Sequence, residues 1–520
     1  MRFSISVRPP LRLVPILALA LAARPIGAAD LRSLDRIFAG KAPGETASYL
    51  VVLREQADLS GAAHLSGRER RQFVFDALRS AADAGQAGLL DRLQRGGVRY
   101  QAFYLVDMIE VESDRALAEE LAVRDDVALV APNRASRRVD PASPEREITP
   151  MSESAIEASL ELVHAPAVWD LGFTGQGIVV GMADTGMDWE HPALKTRYRG
   201  FDGTTASHSY NWHDSIHDAA AGNPCGSNAP APCDDQSHGT HVTGTAVGTD
   251  GGDNRIGMAP GARWIGCRNM DANNGTPARY AECFQFFLAP TDSSGANPRP
   301  DLGADVTSNS WGCPESEGCT DPDVLRAVIE NIRSAGIFVA VAAGNEGPNC
   351  STVATVPGFY DASFSVGATS IVDTIAGFSS RGPVTVDGSG RMKPDLVAPG
   401  VSIRSSVPGG GYSRFSGTSM ATPHVAGAVA LLWSAVPSLA NRVPETEALL
   451  ESTAVHLTSA DQQCGGVSGS AIPNPVFGWG RIDIAAAVAA GQAAAGPPPP
   501  APRVRVTRPR PGSKTLAPRH

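Results

Sequence analysis

The run Phe415-Ser416-Gly417-Thr418-Ser419-Met420-Ala421-Thr422-Pro423-His424-Val425-Ala426-Gly427 decides how the rest of the chain is read. A serine stands where a glycine turn gives way to small, helix-compatible residues. Serine at a helix start is ordinarily an N-cap, its oxygen accepting a bond from a first-turn N–H. Here the following helix is apolar on every side, through Ala421, Val425, Ala426, Ala428, Val429, Ala430, Leu431 and Leu432. Such a helix is buried, so its first turn lies deep in the molecule. A hydroxyl held there is close to unpaired backbone N–H groups, which stabilise negative charge on a neighbouring carbonyl. That is the setting of a nucleophile, which also needs a base.

The segments upstream of this run alternate between apolar strands and helices from residue 152 onward. Residues 178–183 read as a buried strand ending at Asp184-Thr185-Gly186. Ser237-His238-Gly239-Thr240-His241-Val242 opens a helix of small residues. Residues 305–310 form a strand that ends in Ser310-Trp311-Gly312. Asp321 and Pro322 start a helix with apolar Val324, Leu325, Val328, Ile329 and Ile332, and Gly336 stops it. Residues 337–343 are wholly apolar and run into Gly344-Asn345-Glu346-Gly347. Unbroken apolar strands belong to a parallel sheet covered by helices on both faces, an α/β fold. Functional groups of such sheets gather beyond the carboxyl ends of the strands, where Asp184, Ser310 and Asn345 fall.

Ahead of this region, residues 30–147 form a separate small α+β domain. Its strands cover 49–53, 98–106, 108–111 and 127–130. One long amphipathic helical stretch carries Phe73, Leu78, Leu89, Leu90 and Leu93, and a second helix covers 116–122. The order βαββαβ is the ferredoxin-like pattern. The polar, proline-containing residues 137–150 are its exposed boundary, and the larger domain covers 148–490. Arg2, Arg8 and Arg12 precede an apolar run at 13–23, too short to span a bilayer, and Gly27-Ala28-Ala29 suits cleavage before Asp30. Residues 1–29 therefore read as a signal peptide, and the protein as secreted. No later segment is long and apolar enough for a membrane span. Residues 491–520, proline-rich and basic, have too little apolar content to pack and read as a disordered tail.

Charge and cysteines narrow the class. The net charge is −10, yet the last thirty residues hold six Lys+Arg and no acid, which leaves −16 on the remainder. An acidic body excludes nucleic acid as the partner. All eight cysteines lie at or after Cys225, an even count that in an exported chain reads as disulfides, with 105 possible connectivities. Zinc sites would need closely spaced pairs, and there are none. On spacing, Cys225 with Cys233 and Cys313 with Cys319 would close short loops and Cys267 with Cys283 a moderate one. Cys350 and Cys464 would then close the longest.

A serine becomes nucleophilic when an imidazole accepts its proton and a carboxylate fixes that imidazole. Asp184, His238 and Ser419 supply the three groups, each at an element end and each beside glycine. Asp184-Thr185-Gly186, His238-Gly239-Thr240-His241-Val242 and Gly417-Thr418-Ser419-Met420-Ala421 resemble the signature blocks of the subtilisin-like serine peptidases. Ala343-Gly344-Asn345-Glu346-Gly347, Phe378-Ser379-Ser380-Arg381-Gly382-Pro383 and Ala398-Pro399-Gly400 resemble its supporting blocks, and the likeness spans about residues 160–490. The cysteines point to the bacillopeptidase F-like branch. The resemblance implies a serine endopeptidase with Ser419 as nucleophile, His238 as general acid–base and Asp184 as orienting carboxylate. Asn345 and the Ser419 N–H form the oxyanion hole. Ser310, Trp311 and Gly312 would offer backbone to an extended protein or peptide substrate, and Ala343 and Gly344 would line a pocket with Thr355 at its floor and Trp311 at its rim. His241 and His424 would be packing residues. The small N-terminal domain is similar to the family's prosegments, which act as chaperone and inhibitor. Self-cleavage between residues 140 and 159 would release it from a monomeric enzyme.

The chemistry so implied requires no cofactor. A structural calcium ion is a family feature, but Ala193 stands where a carboxylate ligand is expected and Gly251 where an asparagine is expected. Val356-Pro357 matches a place where the family often has a cis proline. An α/β-hydrolase would need G-x-S-x-G and a different order of the triad. A zinc peptidase would need glutamate where Gly239 stands. Gly175-Gln176-Gly177 precedes its strand, which excludes a dinucleotide loop. A binding scaffold derived from an enzyme would have lost a catalytic group, and all four are present.

Overall fold

The apolar strands read from the sequence assemble into two separate sheets in the computed structural model, which describes residues 28–134, 156–252, 254–460 and 462–495. Residues 1–27 of the expected signal peptide, the 137–150 boundary, most of the expected 140–159 cleavage window and residues 496–520 of the expected tail lie outside the described residues.

The first sheet is antiparallel and is built from β1 (Ala47–Leu53), β2 (Arg99–Phe103), β3 (Met108–Ser113) and β4 (Val127–Pro132), in the order β2-β3-β1-β4. Helices fill the β1–β2 and β3–β4 connections, which gives the expected βαββαβ arrangement. The helical stretch around 73–93 differs from expectation, because it is two helices, Gly67–Gly85 and Ala87–Arg95. Buried Gln86 sits at the break and donates from Nε2 to the Phe103 carbonyl at 2.8 Å. The break lets the two helices face different cores. Val74, Leu78 and Ala82 of the first join a cluster shared with the larger domain, whereas Leu89 and Leu93 of the second pack within the small one.

The second sheet has seven strands, β5 (Val179–Asp184), β6 (Trp212–Asp214), β7 (Arg263–Arg268), β8 (Val306–Asn309), β9 (Phe338–Ala342), β10 (Phe364–Thr369) and β11 (Leu396–Pro399). Every neighbouring pair is parallel, in the order β11-β10-β9-β8-β5-β7-β6. Chain order runs one way from β5 through β7 and the other way through β8. The carboxyl end of β5 is therefore a topological switch point, and Asp184 is its last residue. The Thr418–Ala435 helix lies against β8, β9, β10 and β11 with nearly every residue buried, which is why it carries no polar face. A hairpin of β12 (Ile403–Val407) and β13 (Gly411–Phe415) rests on the His238–Val247 helix and delivers the chain to Ser419.

The two sheets share a core. Leu50, Val74, Leu78, Phe103 and Leu105 from the small domain pack in one cluster with Phe284, Phe287, Val328 and Ile332. The last four lie on the Pro277–Leu288 and Arg326–Ser334 helices. Two element ends depart from the reading of the sequence. Residues 322–325 form turns, with the Leu325 N–H bonded to the Tyr360 hydroxyl at 3.3 Å, so that helix begins at Arg326 and not at Pro322. The last helix, Ile484–Ala495, carries the ordered fold five residues past 490, because alanines at 493–495 continue it. Four disulfides join Cys225–Cys233, Cys267–Cys283, Cys313–Cys319 and Cys350–Cys464, the pairing that loop lengths favoured. The Val356–Pro357 bond is cis. Among the described residues no helix is long and apolar enough to cross a membrane.

Candidate active site

Parallel strands end where helices begin, and that geometry gathers the candidate residues. Asp184 is fully buried, and its Oδ1 accepts the Thr185 N–H at 2.8 Å and the His238 Nδ1–H at 2.7 Å. His238 opens the His238–Val247 helix and keeps a quarter of its side chain exposed. The close approach of that helix to the Asp184 turn depends on two glycines. A Cβ on Gly239 would fall 2.0 Å from the Gly186 carbonyl oxygen, and one on Gly186, at φ +110°, would fall 1.7 Å from the Cys233 carbonyl oxygen.

A carboxylate that the sequence reading passed over holds this turn together. Asp234 accepts bonds from Thr185 Oγ1 at 2.8 Å, the Ser237 N–H at 2.9 Å and the Thr240 N–H at 2.9 Å. It thereby fixes the residues on either side of His238. Burial pushes its pKa up against these donors. The signal available was an aspartate four residues before the histidine, a spacing that also suits an ordinary helix start.

Ser419 is the second residue of the Thr418–Ala435 helix, so its N–H has no carbonyl four residues back in the helix. Its Oγ donates to the Ser310 carbonyl at 3.1 Å, and Ser310 Oγ donates to the Ser419 carbonyl at 2.8 Å. Asn345 follows β9 and is exposed. Its Oδ1 accepts both the Thr418 N–H and the Thr418 hydroxyl at 2.9 Å, which leaves the amide nitrogen as the donating end of the side chain.

The expected substrate-binding residues divide. Gly312 packs against Thr355, to whose Cγ2 a Cβ would come within 2.8 Å, and Cys313 bridges Val356 in antiparallel fashion. Gly344, at φ +107°, lies against Ser380 and the Glu346 carboxylate, and its carbonyl accepts the Ser380 N–H at 3.0 Å. Ala343 is buried beside it. The Trp311 side chain is not at a rim. It is 5% exposed and stacks on Tyr280 at 3.8 Å between centroids and 6° between planes. Tyr280 in turn donates to Glu317 at 2.8 Å. This aromatic pair joins residues 31 positions apart, beyond the reach of local pattern. Chain leaving β4 passes close by. Asn133 Oδ1 accepts the Ala278 N–H at 3.0 Å and the Arg134 N–H donates to the Glu317 carbonyl at 3.3 Å.

The other motif histidines are structural. His241 Nε2 lies 3.0 Å from the Ile403 carbonyl, and its ring stacks on Phe415 at 4.3 Å. Burial and the nearby His238 lower its pKa to about 3. His424, bonded through Nδ1 to the Met420 carbonyl, is lowered by burial to about 4. Both are neutral at physiological pH.

A cavity of about 1000 Å³ lies elsewhere, between the small domain and the Pro277–Leu288 helix. On its wall Glu282 meets His213 Nε2 at 2.6 Å and His217 Nε2 at 3.0 Å. Burial alone would raise the Glu282 pKa, but bonds from the two imidazoles hold it at about 2. The His217 imidazole is raised to about 9 by its bond to Glu282, against its own burial. Glu110 of the small domain faces the same cavity and is pushed up by burial. The cavity contains no hydroxyl placed as Ser419 is, and we assign it no chemistry.

Comparison with known proteins agrees with this arrangement. The Subtilase family pattern matches residues 175–480. Bacillopeptidase F of Bacillus subtilis (strain 168) is 35% identical over 439 residues, covering 81% of this chain and 29% of that protein. Subtilisin E of the same organism is 30% identical over 366 residues, 70% of this chain and 80% of its own length. A subtilisin from Bacillus pumilus is 32% identical over 308 residues, 59% of this chain and 94% of its own. The chain thus spans less than a third of bacillopeptidase F but most of each subtilisin. It belongs to the subtilase family of serine peptidases.

Proposed function

We propose that this chain is an exported serine endopeptidase, made as a zymogen that processes itself. The observation that carries the reading is the 2.7 Å contact of the buried Asp184 carboxylate with His238 Nδ1 at the end of β5, taken together with Ser419 at the start of a buried helix whose first residue bonds Asn345. With Nδ1 committed to Asp184, the proton of Ser419 passes to His238 Nε2 as Oγ attacks the scissile carbonyl. The resting bond from Ser419 to the Ser310 carbonyl is given up in that step. The tetrahedral oxyanion is stabilised by the Asn345 side-chain amide and by the Ser419 N–H, which has no carbonyl four residues back in its helix. Collapse expels the amine, which takes its proton from His238, and water then hydrolyses the acyl-enzyme along the same path. Asp184 stays ionised throughout and stabilises the imidazolium. No cofactor is required for this chemistry.

Protein or peptide segments are the substrates, laid extended along Ser310, Trp311 and Gly312 with a side chain entering beside Ala343 and Gly344. The small domain is chaperone and inhibitor of the same chain. Support for that role comes from the shared apolar core and from Asn133 and Arg134, which lead the chain toward the catalytic domain. Four disulfides and the basic-then-apolar segment ahead of Asp30 support export, and the released enzyme is proposed to act as a monomer. Expression of Ser419→Ala in a host lacking other proteases tests the proposal. Full-length protein minus its signal should accumulate, and casein turnover should fall about 10⁶-fold, the scale on which a subtilisin depends on its serine. Normal N-terminal processing of that variant would assign maturation to another protease.

A further inference from the structure

The family resemblance leads to the expectation of calcium beside residue 193 and the loop at 249–255, and the residues present do not fit it. Ala193 offers no oxygen ligand and packs, fully buried, with Ile256 and Tyr412. Among the described residues, no three His, Cys, Asp or Glu side chains gather as a metal would need. The positive charge found here belongs to the protein. Arg404 on β12 has no exposed surface, and its guanidinium lies 4.4 Å over the Tyr412 ring. Its Nη1 donates to Asn254 Oδ1 at 2.8 Å and to Glu157 Oε1 at 3.0 Å. Arg414, its partner across the hairpin, stands 3.8 Å from the other Glu157 oxygen.

We propose that Arg404 is an internal cation that replaces a structural metal ion in this enzyme. A carboxylate and an amide oxygen are the ligands a hard divalent ion takes, and here both are bonded to the guanidinium. A second cation brought to the same oxygens would meet like charge at close range from the fully buried Arg404. The contacts join three pieces of chain: the hairpin that leads to Ser419, the loop that follows the His238–Val247 helix, and the start of the catalytic domain. That last piece is anchored at Glu157, whose N–H also donates to the Arg255 carbonyl at 3.1 Å. A covalently attached charge makes the clasp independent of calcium concentration.

The test is thermal unfolding of the full-length protein, carried on Ser419→Ala to prevent self-digestion, in calcium chloride and in EDTA. The parent should unfold at the same temperature in both media. Arg404→Met takes the buried charge away from the part-buried Glu157 carboxylate and from Asn254, and should lower the midpoint by about 5–10 °C in both, with no recovery on adding calcium. Arg404→Lys keeps the charge without the planar guanidinium that lies over Tyr412 and should fall between them. The proposal is overturned if chelation lowers the parent as far as Arg404→Met does, or if Arg404→Met unfolds with the parent. Should Arg404→Met fail to fold, the lysine variant and the parent's response to EDTA still decide.

Discussion

The cleft at the end of β5 and the cavity beneath the small domain are both built from imidazole on a buried carboxylate, and their chemistry is opposite. In the cavity, Glu282 is shared by two histidines, and His217 spends its remaining nitrogen on Asn228 at 2.6 Å. Two of the groups there are held in their charged forms, with His217 raised to about 9 and Glu282 lowered to about 2. In the cleft, Asp184 engages a single histidine through one nitrogen, and the serine sits at a helix start with an asparagine donor oriented beside it. An imidazole–carboxylate contact alone is therefore no mark of catalysis. A hydroxyl at a helix start and donors for the charge it would develop are what separate the two.

The comparison can be broken most sharply at Asn345. Asn345→Ala should leave a folded protein whose turnover on a peptide substrate falls ~10²–10³-fold, the loss known for the equivalent donor of a subtilisin. Wild-type turnover would remove the oxyanion role. A smaller effect is expected at Glu282→Gln, which takes the charge from between two histidines. Breaking a buried pair costs about 3–5 kcal/mol, so the unfolding midpoint should drop by several degrees while turnover at 25 °C is kept. Lost turnover in a protein still folded at that temperature would mean that the cavity takes part in catalysis after all.

The smallest effect concerns pH. Glu282 folds with a pKa below its ordinary 4.5, so its contribution to stability is present above pH 4.5 and lost as pH falls toward 2. His217 folds with a pKa above its ordinary 6.5, so its contribution is complete below pH 6.5 and lost as pH rises through 9. The pair is strongest between pH 4.5 and 6.5. His217→Gln should flatten the decline of the unfolding midpoint between pH 6.5 and 9 by a degree or two, read by calorimetry against wild type. An unchanged slope would show that the His217 charge is not coupled to folding.

Much of this was legible in the sequence because strand ends carry the chemistry. Residues 178–183 and 337–343 are apolar without interruption, and each run ends on the residue of interest, Asp184 or a neighbour of Asn345. The histidine motif was equally readable, although burial alone separates His238 from His241 three residues on. What stayed hidden depends on partners distant in the chain. Trp311 is turned inward by Tyr280, Glu282 meets a histidine 69 residues away, and Arg404 meets Glu157 across 247 residues. A lone arginine between Ile403 and Ser405, in a strand otherwise apolar or hydroxylic, was the only local sign of the last. The break at Gln86 did have a local sign in Gly85 and Gly88 on either side of it, but the reason for it lies in the two cores that the helices face.

The Cys350–Cys464 bond closes a ring of chain that contains β10 to β13 and Ser419 itself. The same ring holds exposed backbone at 385–386 and 388–390 and at Ile371 and Val372, the kind of segment a peptidase among its own copies attacks first. A single nick there leaves both fragments joined by sulfur, with the buried Thr418–Ala435 helix still tied to the sheet it rests on. For a protein that spends its working life in the company of its own cutting edge, the bond turns a loss of continuity into a change of topology, and the serine stays with the molecule.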